Sequence, residues 1–193
     1  ANFLDSCSNK RVIYLSSDGI FDGNKGFYSE NDIPRPVTTY GRNLKCCEDL
    51  VKKNCHDFCI VRPSYIYGYS FGELDKRLSK TKSSVSKGEY VERFVDMYKS
   101  PLGVEQVAEA VVDLSLLNYR GIVHVAGPKL SVYDFTKQAV EALGLDSRFI
   151  KPIPINIPNG KGLRDSSLDC SILEKLTGLR PLSVSETLKR GHN

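Results

Sequence analysis

The chain lacks any apolar run approaching the roughly twenty residues needed to cross a bilayer. Its first residues, Ala1-Asn2-Phe3-Leu4-Asp5-Ser6-Cys7, lack the basic, apolar and small-residue segments of a signal peptide. Cysteine is scarce: Cys7, Cys46, Cys47, Cys55, Cys59 and Cys170 are too few to staple a chain of 193 residues, and their spacings make no zinc framework. Free, mostly buried thiols are expected rather than a metal or redox site. No repeat or low-complexity tract is present. Charge bias is small, and the net +4 permits an anionic small molecule without demanding nucleic acid. A soluble, cytoplasmic protein with neither a membrane nor a nucleic-acid partner is expected. One absence is chemical: no Gly-rich phosphate-binding turn precedes the first strand.

With 40% hydrophobic residues, a chain of this length buries one core, or one core with a small appended subdomain. Val12-Ile13-Tyr14-Leu15 is too short for a helix and ends at Ser16-Ser17-Asp18-Gly19, which predicts a buried strand of a parallel sheet. Residues 19–37 carry Gly19, Gly23, Gly26, Pro34 and Pro36 among Asp, Asn and Ser, predicting a long surface loop of a length that is usually functional. A helix is predicted from a cap at Thr38 or Thr39 to about Asn54, with Leu44, Cys47, Leu50 and Val51 as its apolar face. Phe58-Cys59-Ile60-Val61 reads as a second buried strand, closed by Arg62-Pro63. Strand, loop, helix, strand is the crossover unit of a doubly wound sheet. Ser64-Tyr65-Ile66-Tyr67-Gly68 then leaves the second strand at the same end as Ser17.

From Phe71 to Gly88 the periodicity fades and a mobile loop is predicted. Its Lys76, Arg77, Lys80, Lys82 and Lys87 read first as a solvated basic face, with a docking surface for a diphosphate as the alternative. Residues 89–98 suggest an exposed strand. Residues 104–114 form the clearest amphipathic helix, with Val104, Val107, Ala108, Val111 and Leu114 on one side. Gly121 to Gly127 is a further strand, in which His124 reads as a core or edge histidine rather than a catalytic one. Ser131 opens a helix that stops at Gly144, and Phe149-Ile150 starts an extended stretch. Short helices follow near Ser171–Leu176 and after Ser183, and residues 189–193 are expected to fray.

A hydroxyl at the end of an apolar strand, followed by a Tyr opening a helix with a Lys close behind, is what proton delivery to a carbonyl during hydride transfer requires. Ser17, Tyr40 and Lys45 make that set. The pattern resembles the extended short-chain dehydrogenase/reductase superfamily, and within it the dTDP-4-dehydrorhamnose reductases. The likeness runs in one order through Leu15-Ser16-Ser17-Asp18, Ile20-Phe21-Asp22-Gly23, Tyr28, Glu30, Asp32, Pro34, Pro36, Tyr40-Gly41-Arg42 and Glu48. It continues through Val61-Arg62-Pro63-Ser64, Tyr67-Gly68, Ser100-Pro101, Gly121 to Gly127 and Ser167-Leu168-Asp169-Cys170.

The resemblance implies an α/β fold: the C-terminal part of a Rossmann-like doubly wound parallel sheet plus a small α/β substrate subdomain. Residues 1–68 would belong to the NAD(P)-binding part and 69–193 mainly to the substrate-binding part, with 104–127 returning to the sheet. It implies that Ser17 binds a substrate carbonyl oxygen and that the Tyr40 hydroxyl protonates it. Lys45 would stand for the Lys that supports the Tyr and holds the nicotinamide ribose, with Tyr40, Pro63 and Ser64 against the cofactor, NADP or NAD. The substrate would be a nucleotide-linked 4-keto-6-deoxysugar.

Three departures qualify this. The family's Tyr-x-x-x-Lys places Lys at 44, where this chain has Leu44 and then Lys45. Five residues along a helix leave a side chain about 140° from the Tyr, against about 40° for four, so Lys45 is expected to point off the site. The family's first half, with its Gly-rich turn, is not in the sequence, and Lys161-Gly162-Leu163 replaces a usual Arg-Pro pair. The expectation is a reductase by descent that is inactive as this chain alone, the alternative being a non-catalytic partner-binding homologue of the kind that resembles the regulatory β subunit of methionine adenosyltransferase. A partial sheet leaves an unpaired edge, so self-association or a partner chain is also expected.

Overall fold

The computed structural model describes residues 10–155 and 164–191; Lys161-Gly162-Leu163 lies outside them. In chain order the elements are β1 (Arg11–Leu15), α1 (Thr39–Asn54), β2 (Asp57–Pro63), β3 (Ile66–Tyr67), β4 (Tyr69–Ser70), β5 (Glu73–Leu74) and α2 (Lys76–Ser86). They continue with β6 (Val91–Phe94), β7 (Tyr98–Lys99), β8 (Leu102–Gly103), α3 (Val104–Leu116), β9 (Gly121–Val125), β10 (Leu130–Ser131) and α4 (Val132–Ala142). Last come β11 (Ile150–Ile153), α5 (Ser171–Thr177) and α6 (Val184–Arg190). No described helix is long and apolar enough to cross a membrane.

The central sheet is parallel, in the order β1-β2-β9. Successive strand residues face opposite ways, and both faces are apolar. Cys59, Val61, Val123 and Val125, with Ile13, pack on α3 and Leu173 of α5. Phe58 and Ile60, with Val12, Tyr14 and Ile122, pack on Val51 and Cys55 at the end of α1. A parallel sheet covered by helices on both faces is the doubly wound architecture. A second group of clusters joins α2, α4, α6 and the parallel β6–β11 pair through Leu78, Val85, Phe135, Ala139, Val140, Ile150 and Leu188.

Several elements differ from the sequence reading. β2 runs through Arg62 and Pro63, which pair with His124 and Val125; as the last residue, Pro63 ends the ladder without interrupting it. The 19–37 segment is not wholly surface: Ile20, Phe21 and Tyr28 are buried, the two rings stack at 4.2 Å, and Leu44, Ala126 and Leu168 close round them. The stretch expected as a mobile loop contains α2, capped by Asp75, whose carboxylate accepts from the backbone of Arg77 and Leu78. Leu78, Thr81 and Val85 form its buried face, a helical spacing masked by the basic residues between them.

The face of α1 is also rotated from expectation. Gly41, Glu48 and Val51 are buried and Leu44 half-buried, whereas Cys46, Cys47 and Leu50 are exposed. The described thiols are therefore not mostly buried: Cys55 and Cys59 are, Cys170 is partly so, and Cys46 and Cys47 are exposed, while Cys7 lies outside the described residues. The true stripe contains a carboxylate, which apolar patterning cannot find. Lys189 and Arg190 extend α6 rather than fraying.

Candidate functional site

Ser17 caps a single 3-10 turn, Asp18–Ile20, at the C-terminal end of β1; its Oγ accepts the Gly19 N–H at 3.2 Å. The first turn of α1 sits directly on this turn. A Cβ on Gly41 would lie 2.1 Å from the Gly19 carbonyl oxygen, and one on Gly19 would lie 3.5 Å from the Tyr40 ring. Gly41 thus permits the approach that brings Tyr40, 62% exposed, beside Ser17, while a Cβ at Gly19 would make only an ordinary contact with the ring. Tyr40 and Ser17 line an open cleft of about 650 Å³ with Asp18, Ser64, Tyr65, Arg77 and Lys99.

Lys45 does not line this cleft. Its Nζ lies 2.6 Å from the Asp49 carboxylate one turn along α1, and Leu44, four residues beyond Tyr40, packs against the Ile20–Phe21–Tyr28 cluster. Pro63 is buried in the ladder, whereas Ser64 reaches the cleft. The structure therefore brings Ser17, Tyr40 and Ser64 together and leaves Lys45 and Pro63 outside the lining.

The centre of the cleft is a residue without an assigned role in the sequence reading. Asp18 is 5% exposed; its Oδ1 accepts from Ser17 Oγ at 3.0 Å, and its Oδ2 from Ser64 Oγ at 3.0 Å, Ser166 Oγ at 2.8 Å and Lys99 Nζ at 2.7 Å. Asp18 is legible as a strand-end acid. Lys99 and Ser166 arrive from 81 and 148 residues away, and no local signal marks them.

Behind the cleft lies a buried charge network. Glu48 and Arg62 are 0% and 1% exposed and form a bidentate pair, Nε to Oε1 at 2.8 Å and Nη2 to Oε2 at 2.6 Å. Strand parity explains the meeting: Arg62 follows Phe58 and Ile60 on the α1 side of the sheet, and His124 follows Ile122. Burial would raise the Glu48 carboxyl, but the Arg62 hydrogen bonds and charge outweigh it and hold it below its usual value. His124 Nε2 lies 3.4 Å from Arg62 Nη1, and Nδ1 lies 3.2 Å from the Asp169 carbonyl. A guanidinium only donates, so Nε2 is the acceptor and Nδ1 carries the proton to Asp169. Burial first and the Arg62 charge second push His124 down to about 4.

Beside the cleft, sharing Tyr65, Arg77 and Lys99 as a common wall, is a cavity of about 380 Å³. Leu78, Met97, Leu130 and Phe135 line it, with Arg77, Lys80, Arg93 and Lys99 and no acid. Arg93 donates to Thr81 Oγ1 and the Glu92 carbonyl and has no ion pair among the described residues; burial lowers its affinity for its proton. Arg77 lies over the Tyr65 ring at 4.8 Å. Lys82 and Lys87 border neither cavity.

The parallel sheet covered by helices on both faces is the fold of a short-chain dehydrogenase/reductase-like protein. The chain belongs to the RmlD substrate binding domain family, whose model matches residues 5–192. It is 30% identical over 152 residues to the probable low-salt glycan biosynthesis reductase Agl14 of Haloferax volcanii, covering 75% of this chain and 50% of that one. It is 28% identical over 180 residues to methionine adenosyltransferase 2 subunit beta of Rattus norvegicus, covering 86% of this chain and 52% of that one. The fold matches dTDP-4-dehydrorhamnose reductase of Bacillus anthracis, solved in complex with NADP, with a TM-score of 0.79 at 22% identity over 93% of this chain and 64% of that one. The chain spans about half the length of the curated relatives it matches.

Of the residues that the resemblance sets against a nicotinamide cofactor, two line the cleft and two do not. Tyr40 and Ser64 line it, whereas Pro63 is buried in the ladder and the Lys45 ammonium is directed at Asp49.

Proposed function

We propose that this chain is the substrate-binding part of an NAD(P)H-dependent reductase of a nucleotide-linked 4-keto-6-deoxysugar, and that the chain alone does not turn over. Residues 1–68 with 104–127 are assigned to the cofactor-side sheet, and the rest of 69–193 mainly to the substrate side. The acid-free basic cavity carries the reading. Arg77, Lys80, Arg93 and Lys99 suit a diphosphate, the apolar wall suits a planar base, and the shared boundary with the cleft directs a linked sugar toward Ser17 and Tyr40. There Ser17 would position the keto oxygen and Tyr40 would protonate it; a bound nicotinamide would supply the hydride to the carbonyl carbon.

Calorimetry with thymidine diphosphate is expected to show binding, and Arg93→Met to weaken it about 10- to 100-fold, the range for one charge-assisted contact. Unchanged affinity in Arg93→Met would remove the cavity from the argument. NADPH oxidation with a dTDP-4-keto-6-deoxysugar and this chain alone is expected to stay at background, and turnover at ordinary enzyme rates would sink the inactivity claim.

A second reading, a non-catalytic regulatory homologue, is favoured by Leu44 filling the position of the family's Lys and by the similarity to methionine adenosyltransferase 2 subunit beta. β1 is one of the two edge strands of the described three-stranded sheet. We infer that its edge is paired in the working protein, by self-association or by a partner chain, since open edges invite pairing. Sedimentation should show a species larger than a monomer; a monodisperse monomer with a cooperative melt would count against it.

A further inference from the structure

Of the three residues shared by the cleft and the basic cavity, Lys99 is the one that forms an ion pair with an acid of the cleft, with Nζ 2.7 Å from Asp18 Oδ2. The other two differ: Tyr65 donates its hydroxyl to the Asp75 carboxylate at 3.2 Å but carries no charge to exchange, and Arg77 makes no ion pair among the described residues. Asp18 does not depend on Lys99 for solvation, because Ser17, Ser64 and Ser166 each donate to it. If the ammonium leaves, the buried carboxylate keeps three hydroxyl partners, so the pair can open without an unsatisfied group. A lysine suits such an exchange: it is a compact charge on a flexible stem with three donors, and here its side chain is 26% exposed.

Resting on the nucleotide-sugar reading above, we propose that Lys99 is an exchangeable cation. It neutralises Asp18 in the empty protein and turns to the anionic group of a nucleoside diphosphate in the adjoining cavity, so Asp18 and the ligand compete for it. Ser17 gives its only proton to the same carboxylate. Filling the cavity is thereby linked to the hydrogen bonding of the hydroxyl in the cleft, and linkage of this kind is reciprocal. Lys99 is a positioning residue in this scheme.

Thymidine diphosphate titrated into the parent chain, Lys99→Met, Asp18→Asn and the double variant tests the exchange. Lys99→Met is expected to weaken binding about tenfold or more. Asp18→Asn is expected to tighten it severalfold, and that gain is expected to vanish in the Lys99→Met background. A gain of full size in the double variant would mean that Asp18 merely repels the anion, and would overturn the proposal, as would equal affinity of Lys99→Met and the parent. No binding by the parent chain would fail the substrate reading instead. Because Asp18→Asn alters a buried group, a second measurement uses the parent alone. With the lysines carbon-13-dimethylated, the Lys99 signal, assigned through Lys99→Arg, should move on saturation with thymidine diphosphate while Lys45 stays still. An unmoved Lys99 signal would overturn the exchange without any folding question.

Discussion

Replacing Glu48 with Leu is expected to lower folding stability by about 3–5 kcal/mol, the cost of leaving one member of a buried ion pair alone. The side chain removed is fully buried against Arg62, which lies between α1 and the sheet with His124 beside it. A guanidinium does not shed its proton in a protein, so the charge left behind has no means of neutralising itself. Arg62→Met should cost less, because a stranded carboxyl can take up a proton and Lys52 still lies 3.8 Å from Glu48 Oε2. The double variant Glu48→Leu/Arg62→Met should recover part of the loss, since two apolar side chains of similar size carry no desolvation penalty. Urea unfolding followed by circular dichroism gives all three values. A Glu48→Leu chain as stable as the parent, or one less affected than Arg62→Met, would contradict this account.

Acidification from pH 6.5 to about 4.5 is expected to remove most of a stabilisation that reaches about 3 kcal/mol, contributed by His124. The folded histidine is held down to about 4 by burial and by Arg62, against 6.5 for an ordinary one. The unfolded chain therefore binds this proton below pH 6.5 while the folded chain refuses it. The contribution is fully present above 6.5 and lost as the pH falls toward 4, at about 1.4 kcal/mol per pH unit. Glu30, whose carboxyl is raised by burial, acts with the opposite sign: its share is present at low pH and lost as the pH rises through its folded value. Comparison with His124→Gln isolates the histidine. The parent should lose stability more steeply than the variant between pH 6.5 and 4.5, and parallel pH profiles would show that His124 carries no such linkage.

Both expectations concern residues whose meaning changed between sequence and structure. Glu48 was legible only as one member of an ordered likeness, and Arg62 as the end of a strand. Their pairing became visible when the parity of β2 put Arg62 on the face that α1 covers. α2 carries no clear periodic signal because its buried Leu78, Thr81 and Val85 are set among basic residues and serines, and a buried threonine adds no apolar signal. Apolar type alone places Cys47 and Leu50 on the buried face of α1, but the helix buries Gly41, Glu48 and Val51 and leaves both exposed.

Local sequence determined the parts that depend on neighbours within a turn or two. These are the apolar runs of β1, β2 and β9, the caps at Ser131 and Ser183 and one at Thr38 or Thr39, which the structure resolves to Thr38, the Ser17-then-Tyr40 order, and the displacement of Lys from 44 to 45. These are short-range effects of pattern, capping and helical angle. Tertiary structure alone decided what meets across long separations. It set Gly41 against the Gly19 carbonyl, joined Glu48 to Arg62 and His124, and gathered Ser17, Ser64, Lys99 and Ser166 on Asp18. The physical reason is the same in each case: a side chain's partner is fixed by which face of which element it leaves, and the packing of faces is a property of the whole chain.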